Sequence, residues 1–384
     1  MRILMLDNEL PPLGGGMGTA NMALLKQFSQ VSEVEIDEIT SALGRKNEFE
    51  SFSKKIKIYK VPVWNRNIHH SSNLELILYT IQALSHSIKL HRRRKYDLCF
   101  AWSALPAGAV ALALFKLYRL PFMVWVSGPD IPGFERRYKP LYPILVPLIK
   151  SIWRNATPLI AKCSEEVDMI RATSKSQPVD IIPNGVDISH FYPASHQNHN
   201  GGLKIICVAR VIERKGQHHL IQAVKRIVDK GFKILVEFIG TGDFLPDCQD
   251  LAAKLGVENY VRFHGYIPRE ELPKYYANSN IFVLPSFNEG MSLAALEALA
   301  AGLPLILTRT GGSYDLVEEG TNGYLYDWGD IDNLEKCIYQ FIQQPALIDR
   351  MGKASRSHAV AFSWPVIGDR YMQLFKTSFE KISA

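Results

Sequence analysis

Ser286-Phe287-Asn288-Glu289-Gly290-Met291-Ser292-Leu293-Ala294-Ala295-Leu296-Glu297-Ala298-Leu299-Ala300-Ala301-Gly302-Leu303-Pro304 is the stretch from which the rest of the chain is read. The apolar run before it, Ile281-Phe282-Val283-Leu284, predicts a short buried strand that stops at Pro285. The Ala/Leu-rich run from Met291 to Ala301 predicts a helix, ended by Gly302 and Pro304. Glu289 therefore lies on the loop leaving a strand, just ahead of a helix. In open α/β sheets ligands bind there. The free N–H groups around Met291, Ser292 and Leu293, at the positive end of the helix dipole, suit a diphosphate. Glu297 follows about two turns later, roughly 10–12 Å along the axis at 1.5 Å per residue. Carboxylates that far apart cannot share one reacting atom. They can grip hydroxyls at opposite ends of an elongated ligand with an anionic middle, and a nucleotide sugar has that layout.

At 384 residues, 47% hydrophobic and 21% charged, the chain suits two domains, each with its own core. The longest apolar stretch, Leu105 to Phe115, is too short to span a bilayer. Met1 to Leu6 meets Asp7 at once and does not read as a secretory h-region. Cys99, Cys163, Cys207, Cys248 and Cys337 show no C-x-x-C spacing and read as buried thiols of a reducing compartment. No metal-ligand cluster is visible, and no cofactor is expected. Three basic clusters lie in the first half: Lys54, Lys55, Lys57 and Lys60; Arg92 to Lys95; and Arg136, Arg137, Lys139, Lys150 and Arg154. Each fits either an anionic membrane surface or solvated loops and helix ends. Nucleic acid is not expected, because no helix-turn-helix, RNP or zinc pattern accompanies them.

Strand-like segments recur at Arg2–Leu6, Val34–Ile39, Ile56–Val63, Leu98–Trp102, Phe122–Val126 and Pro158–Ala161, several with helical segments between them. The first opens into Gly14-Gly15-Gly16-Met17-Gly18, with a helix expected from about Thr19 to Phe28. The polar stretch Ser195–Gly202 reads as a linker, and the pattern restarts at Leu203–Ala209. Further strands are expected at Ile234–Ile239, Val261–His264, Ile281–Leu284, Leu305–Leu307 and Gly323–Tyr326. This alternation predicts parallel, doubly wound sheets in two tandem Rossmann-like domains, 1–195 and 203–364. The segment Trp364–Lys381 reads as helical.

Arg210 and Lys215 stand where the strand at 203–209 opens into a loop. A planar fork and a point charge there suit a diphosphate that gains charge on leaving, although a solvated basic loop has the same composition. Gly240-Thr241-Gly242 ends another strand and allows close ligand approach. The Gly14–Gly18 run fails the dinucleotide fingerprint, because Thr19 and Asn21 occupy its third-glycine positions. Asp330-Ile331-Asp332 precedes a helix start and reads as a cap rather than a metal motif. Tyr138 to Arg154 mixes aromatic, aliphatic and basic residues, which suits an interfacial segment or a helix packed at the domain edge. Its prolines argue against one long uninterrupted helix.

The frame Pro285-Ser286, Glu289-Gly290, Glu297-Ala298 and Ala301-Gly302-Leu303-Pro304 resembles the E-x7-E signature of retaining glycosyltransferases of family 4. That resemblance implies the GT-B fold: α/β, with two Rossmann-like domains facing a central cleft and a C-terminal helix, about 365–384, crossing back to the first domain. It implies a metal-independent, retaining transferase moving sugar from a nucleotide diphosphate sugar to a glycan or lipid-linked acceptor. Cell-surface polysaccharide biosynthesis, in the cytoplasm or peripherally at the inner face of the cell membrane, is the expected setting. The implied catalytic residues are Glu289, holding sugar hydroxyls, with Arg210 and Lys215 neutralising the leaving phosphates. The implied donor-binding residues are Gly16, Gly240, Tyr266, Gly290, Met291, Ser292, Leu293 and the ribose-holding Glu297. Gly311-Gly312-Ser313-Tyr314-Asp315 resembles the family's Gly-Gly-x-x-Glu loop. Ser127-Gly128-Pro129-Asp130 departs from the family's His-Gly-x-Asp, with Ser127 in place of a histidine beside the reacting carbon. Ser127 and Asp130 are acceptor-side candidates, and Asp130 equally fits a cap or structural ion pair. His69, His70, His86 and His91 read as surface residues and supply no substitute. A GT-B sugar-nucleotide epimerase and a non-catalytic nucleotide-sugar binder are the alternative readings.

Overall fold

The computed structural model describes residues 1–31, 33–65, 71–132, 134, 139–193 and 202–383. The chain divides into two compact units, Met1–Pro183 with the segment from Trp364 on, and Asn184–Ser363. The division falls ahead of the polar stretch 195–202, of which residues 195–201 lie outside the described ones. Residues from Asn184 belong to the second unit because they are tied into it. Asn184 Nδ2 donates to the Met291 carbonyl at 3.0 Å, and Val186 pairs with Ser363.

The first unit runs β1 Arg2–Leu6, α1 Gly16–Ser29, β2 Glu35–Ala42, β3 Glu48–Ser51, β4 Ile56–Pro62, α2 Asn73–Arg94, β5 Leu98–Ala101, α3 Ala109–Tyr118, β6 Phe122–Trp125, α4 Tyr142–Asn155, β7 Leu159–Ala161, α5 Ser164–Thr173 and β8 Val179–Ile181. Its sheet has the order β3-β4-β2-β1-β5-β6-β7-β8. All pairings are parallel except β3 with β4. β1 shows why these runs become central strands. Ile3 and Met5 point into one core and Leu4 and Leu6 into the other, all four fully buried, so both faces must be apolar. α1 begins within the glycine run rather than at Thr19, with Thr19 N–H closing onto the Gly15 carbonyl. Gly16 thus stands in the first turn of a helix, among donors without intrahelical acceptors.

Two further differences from the sequence reading have local causes. β3 was not expected, since Glu48-Phe49-Glu50-Ser51 has little strand character. It forms as an exposed antiparallel edge whose Glu50 pairs with Lys60 of β4 at 2.8 Å. α4 continues through its prolines. Pro143 sits at the first turn, where no donor is lost, and Pro147 is on the exposed side, where losing one intrahelical bond costs least. Tyr138 and the basic residues Arg136 and Arg137 lie outside the described residues, as do His69 and His70. His91 is buried rather than at the surface, its Nδ1 accepting from Tyr96 N–H at 3.2 Å.

The second unit runs β9 Leu203–Val208, α6 Gln217–Asp229, β10 Ile234–Ile239, α7 Leu245–Leu255, β11 Val261–Phe263, α8 Leu272–Ala277, β12 Ile281–Leu284, α9 Leu293–Ala300, β13 Leu305–Thr308, α10 Ser313–Leu316, β14 Gly323–Tyr326, α11 Ile331–Gln343 and α12 Ala346–Ala359. Its six strands are all parallel in the order β11-β10-β9-β12-β13-β14. By position this is the doubly wound 3-2-1-4-5-6 arrangement, whose order reverses between β9 and β12. Asp330 caps α11, its Oδ1 accepting Asn333 N–H at 2.9 Å. The last helix, α13 Trp364–Ser383, belongs to the first unit. Its stripe Trp364, Ile367, Tyr371, Met372 and Phe375 is buried at helical spacing. Phe375 lies 5.7 Å from both Phe28 of α1 and Phe100 of β5, centroid to centroid.

Candidate active site

In the second unit the expected phosphate and sugar residues meet at the switch point. Arg210 and Lys215 leave the end of β9, and Glu289 leaves the end of β12, its neighbour across the reversal. Lys215 sits in a short helical turn, its N–H closing on the Ile212 carbonyl at 2.8 Å. Gly216 follows with φ +68°, and a Cβ there would overlap the Pro285 carbonyl oxygen. Glycine is thus what lets the β9 loop lie against the end of β12. The Lys215 ammonium ion-pairs with the Glu289 carboxylate, both largely enclosed. Burial, with the Arg214 and Arg210 guanidiniums nearby, pushes the Lys215 ammonium well below its ordinary pKa. Its charge is therefore costly unless an anion stands beside it. Arg210 is exposed, while its carbonyl accepts from Gln217 Nε2 at 3.0 Å.

The loop that carries Glu289 is braced on three sides. Arg214 Nη1 donates to the Asn288 carbonyl at 3.3 Å, and Phe287 N–H donates to the Arg214 carbonyl at 2.7 Å. Asn184 holds Met291. Gly312 N–H donates to the Gly290 carbonyl, and Gly311, at φ +39°, packs so closely that a Cβ would overlap the Glu289 carbonyl oxygen. The Gly-Gly pair is required there because two loops share that space. Ser292 caps α9, its Oγ accepting Ala295 N–H at 3.3 Å. The N–H groups of Leu293 and Ala294 stand in that first turn, where helical geometry supplies no acceptor. Ser286, Ser292, Thr308, Thr310 and Ser313 line a small recess with Glu289.

Glu297, on α9, is buried. Its Oε1 lies 2.8 Å from Arg269 Nη2, and its Oε2 accepts from the Tyr276 hydroxyl at 3.0 Å. Gly240 N–H donates to the Gly265 carbonyl at 2.7 Å, linking the ends of β10 and β11. Tyr266 next to it is 63% exposed.

In the first unit the loop after β1 closes over an acidic centre. Asn21 Nδ2 donates to Asp7 Oδ2 at 2.8 Å and to Glu38 Oε1 at 3.0 Å, and all three residues are fully buried. Burial, and then Glu9 beside Asp7 and Asp7 beside Glu38, raises both carboxyls well above their ordinary range. At the end of β6, Asp130 turns inward. Its oxygens accept the N–H groups of Ala104 at 2.7 Å, Leu105 at 3.1 Å and Ser127 at 2.9 Å. Burial pushes its carboxyl up to about 6 against those bonds. These three bonds match the capping and structural reading of Asp130. Ser127 is half-buried at the same strand end. Beside it lies a cation the sequence reading did not single out. Lys162, at the end of β7, is buried 4.0 Å over the Trp125 ring, donates to the Val126 carbonyl at 2.9 Å and pairs with Glu166 at 2.7 Å.

Arg214, Arg269, Tyr276 and Lys162 were missed because their roles depend on partners remote in sequence. Only the strand-end position of Lys162 gave a usable signal.

Residues 14–190 match the family model described as Glycosyltransferase Family 4, and residues 190–358 match that of glycosyl transferases group 1. The chain belongs to glycosyltransferase family 4. It is 30% identical over 219 residues to a GDP-mannose-dependent alpha-(1-6)-phosphatidylinositol monomannoside mannosyltransferase of Mycolicibacterium smegmatis. That match covers 53% of the chain and spans 57% of the relative's length. A GDP-mannose-dependent monoacylated alpha-(1-6)-phosphatidylinositol monomannoside mannosyltransferase of Corynebacterium glutamicum is 22% identical over 98% of both chains. Among solved structures, sucrose-phosphate synthase from Thermosynechococcus elongatus superposes with a TM-score of 0.85 over 99% of this chain and 100% of that one, at 21% identity. The fold of this family 4 member is thus GT-B, built from two parallel-sheet α/β units.

Proposed function

We propose that this family 4 glycosyltransferase moves a sugar from a nucleotide diphosphate sugar to a glycan or lipid-linked acceptor, with retention of anomeric configuration. The observation that carries the reading is the meeting of Lys215 with Glu289 at the β9/β12 switch point, beside the first turn of α9. A donor with a diphosphate next to its sugar presents the anion Lys215 needs and the hydroxyls Glu289 can accept from. Arg210, Lys215 and the α9 N–H groups take the charge that builds on the leaving phosphate, which is electrostatic preorganisation rather than covalent catalysis. The leaving phosphate then accepts the proton of the attacking acceptor hydroxyl. Divalent metal is not needed on this reading, since cationic side chains meet that charge.

A lipid-linked acceptor and peripheral placement at the inner face of the cell membrane have support in α4. Leu141, Ile144 and Leu148 are exposed on and just before that helix, Ile144 at 76%, with Lys139 and Arg154 also exposed. An apolar face flanked by cations suits an anionic bilayer surface. Among the described residues no helix is long and apolar enough to cross a membrane.

The test is a thermal-shift panel of nucleotide sugars, because a ligand of the native state raises stability by mass action. Donors that bind are then incubated with and without membrane lipid or glycan acceptors, and the anomeric configuration of the product is read by NMR. A glycosylated acceptor with the donor's configuration supports the proposal. An epimerised donor formed without acceptor, or no donor that binds, would overturn it.

A further inference from the structure

Glu297 is 5% exposed, and each of its oxygens is held by a different element. Arg269, in the turn ahead of α8, reaches Oε1, and Tyr276, on α8, reaches Oε2. Arg269 is itself constrained. Its guanidinium lies 5.7 Å over the Phe191 ring, and its carbonyl lies 3.4 Å from His190 Nε2. Phe191 in turn stands edge-on to Tyr276 at 5.5 Å. Residues from three separate segments thus fix one carboxylate. A carboxylate oxygen has two lone-pair sites, so after one bond each, both oxygens keep one acceptor position. Two parallel acceptors on one planar group match two vicinal hydroxyls.

We propose that Arg269 is the positioning residue of Glu297, turning its carboxylate so that the remaining lone pairs accept the two ribose hydroxyls of a nucleoside diphosphate. The inference rests on the reading of Glu297 as the ribose-holding residue. The electrostatics agree with the geometry. Burial raises the Glu297 carboxyl, and Arg269, then the Tyr276 hydroxyl, then His190 oppose that rise. The other groups facing this corner do not replace Arg269. Arg356 of α12 is engaged by the Ala300 and Phe191 carbonyls, and burial pushes the Cys207 thiol, which faces Tyr276, up to about 12, so it is neutral. Without Arg269 the carboxyl holds a proton to higher pH, loses acceptor capacity and is free to turn.

The experiment measures binding of UDP and GDP, each against its 2′,3′-dideoxy analogue, to the whole chain by calorimetry between pH 5.5 and 8.5. The proteins are wild type, Arg269→Ala, Arg269→Lys, Glu297→Gln and the Arg269→Ala/Glu297→Gln double variant, with melting curves as the folding control. Wild type is expected to prefer the ribonucleotide by about tenfold or more, the scale of hydrogen bonds to a charged acceptor. Arg269→Ala should shrink that preference at pH 6 and recover part of it at pH 8.5. Arg269→Lys should lie between it and wild type, and the double variant should be no weaker than Glu297→Gln alone. Arg269→Ala with the wild-type preference and pH profile, or a double variant that loses both single effects in full, would overturn the role of Arg269. If Glu297→Gln itself keeps the ribose preference, the ribose reading of Glu297 falls instead, and the inference with it. A folded Arg269→Ala protein that loses dideoxy and ribose forms equally would show Arg269 acting on another part of the nucleotide, which also overturns it.

Discussion

Lys215 and Glu289 form an ion pair, although the proposed reaction gives one the phosphate and the other the sugar. On that proposal the diphosphate stands with Glu289 as a counter-anion of Lys215, whose buried ammonium would be expensive alone. Arg210→Ala and Lys215→Ala should each lower turnover by about 100-fold or more, the scale of losing one preorganised charge donor. Steady-state rates with the best donor check this, and wild-type rates in both would remove the phosphate-clamp role. Ser127 presents a hydroxyl where the His-Gly-x-Asp pattern that its segment resembles has an imidazole. It reaches less far and cannot become cationic. The expected outcome is a preference in kcat/KM for 6-deoxy or pentose donors over glucose-type donors, with Ser127→His moving it toward the latter. A wild-type preference for a 6-hydroxylated hexose that Ser127→His leaves unchanged would refute it. Arg210, Lys215, Glu289 and Glu297 could be singled out as candidates from the sequence because each stands at a strand end or on the Ala/Leu-rich helix beside one. Arg269 and Tyr276 could not, since nothing local distinguishes them from any solvated arginine and buried tyrosine.

At the scale of elements, apolar runs bounded by Pro and Gly marked the central strands well, because a strand buried on both faces must be apolar throughout. β3 escaped because an edge strand is stabilised by its partner, here Lys60 and Tyr59 of β4, and not by its own composition. That pairing also draws Lys60 away from the basic surface expected at 54–60, as Glu35 and Asp37 draw in Arg94 at 3.2 and 3.1 Å. The membrane argument therefore concentrates on α4. Ile144→Glu and Leu148→Glu should reduce co-sedimentation with anionic vesicles several-fold, and wild-type binding should weaken as salt shortens the screening length from roughly 8 Å at 0.15 M. Equal partitioning of wild type to anionic and neutral vesicles, or to neither, would count against it. The Asp7–Asn21–Glu38 centre makes a prediction of the opposite polarity to a salt bridge. The raised carboxyl of Glu38 keeps its proton in the fold after the unfolded chain has lost it near 4.5, so stability drains away as pH rises from there through the folded pKa. Glu38→Gln removes that loss. Its Tm gain over wild type should be small at pH 5 and larger at pH 8, about 2–4 °C for each 1 kcal/mol in a unit of this size. A gain that is constant or shrinks with pH would show that Glu38 is ionised in the fold.

At the scale of the whole molecule, transfer should be undiminished by EDTA, because Arg210, Lys215 and the α9 N–H groups meet the leaving charge. Loss of activity on chelation, with recovery on adding Mn²⁺ or Mg²⁺, would contradict that. Two successive α/β patterns were legible along the chain, but helix periodicity in α13 could not say which sheet it covers. The structure places its buried stripe on the first unit, against Phe28 and Phe100. That assignment orders events during synthesis. The six-stranded unit is one continuous segment and can complete its core as soon as Ser363 has cleared the ribosome. The eight-stranded one cannot, although its first 183 residues are made earlier. Until α13 arrives, Phe28, Phe100 and the face they share stay uncovered, for on the order of ten seconds or more at about 5–20 residues per second. The half of the chain that begins first is thus the half that finishes last, and it needs protection from aggregation while it waits.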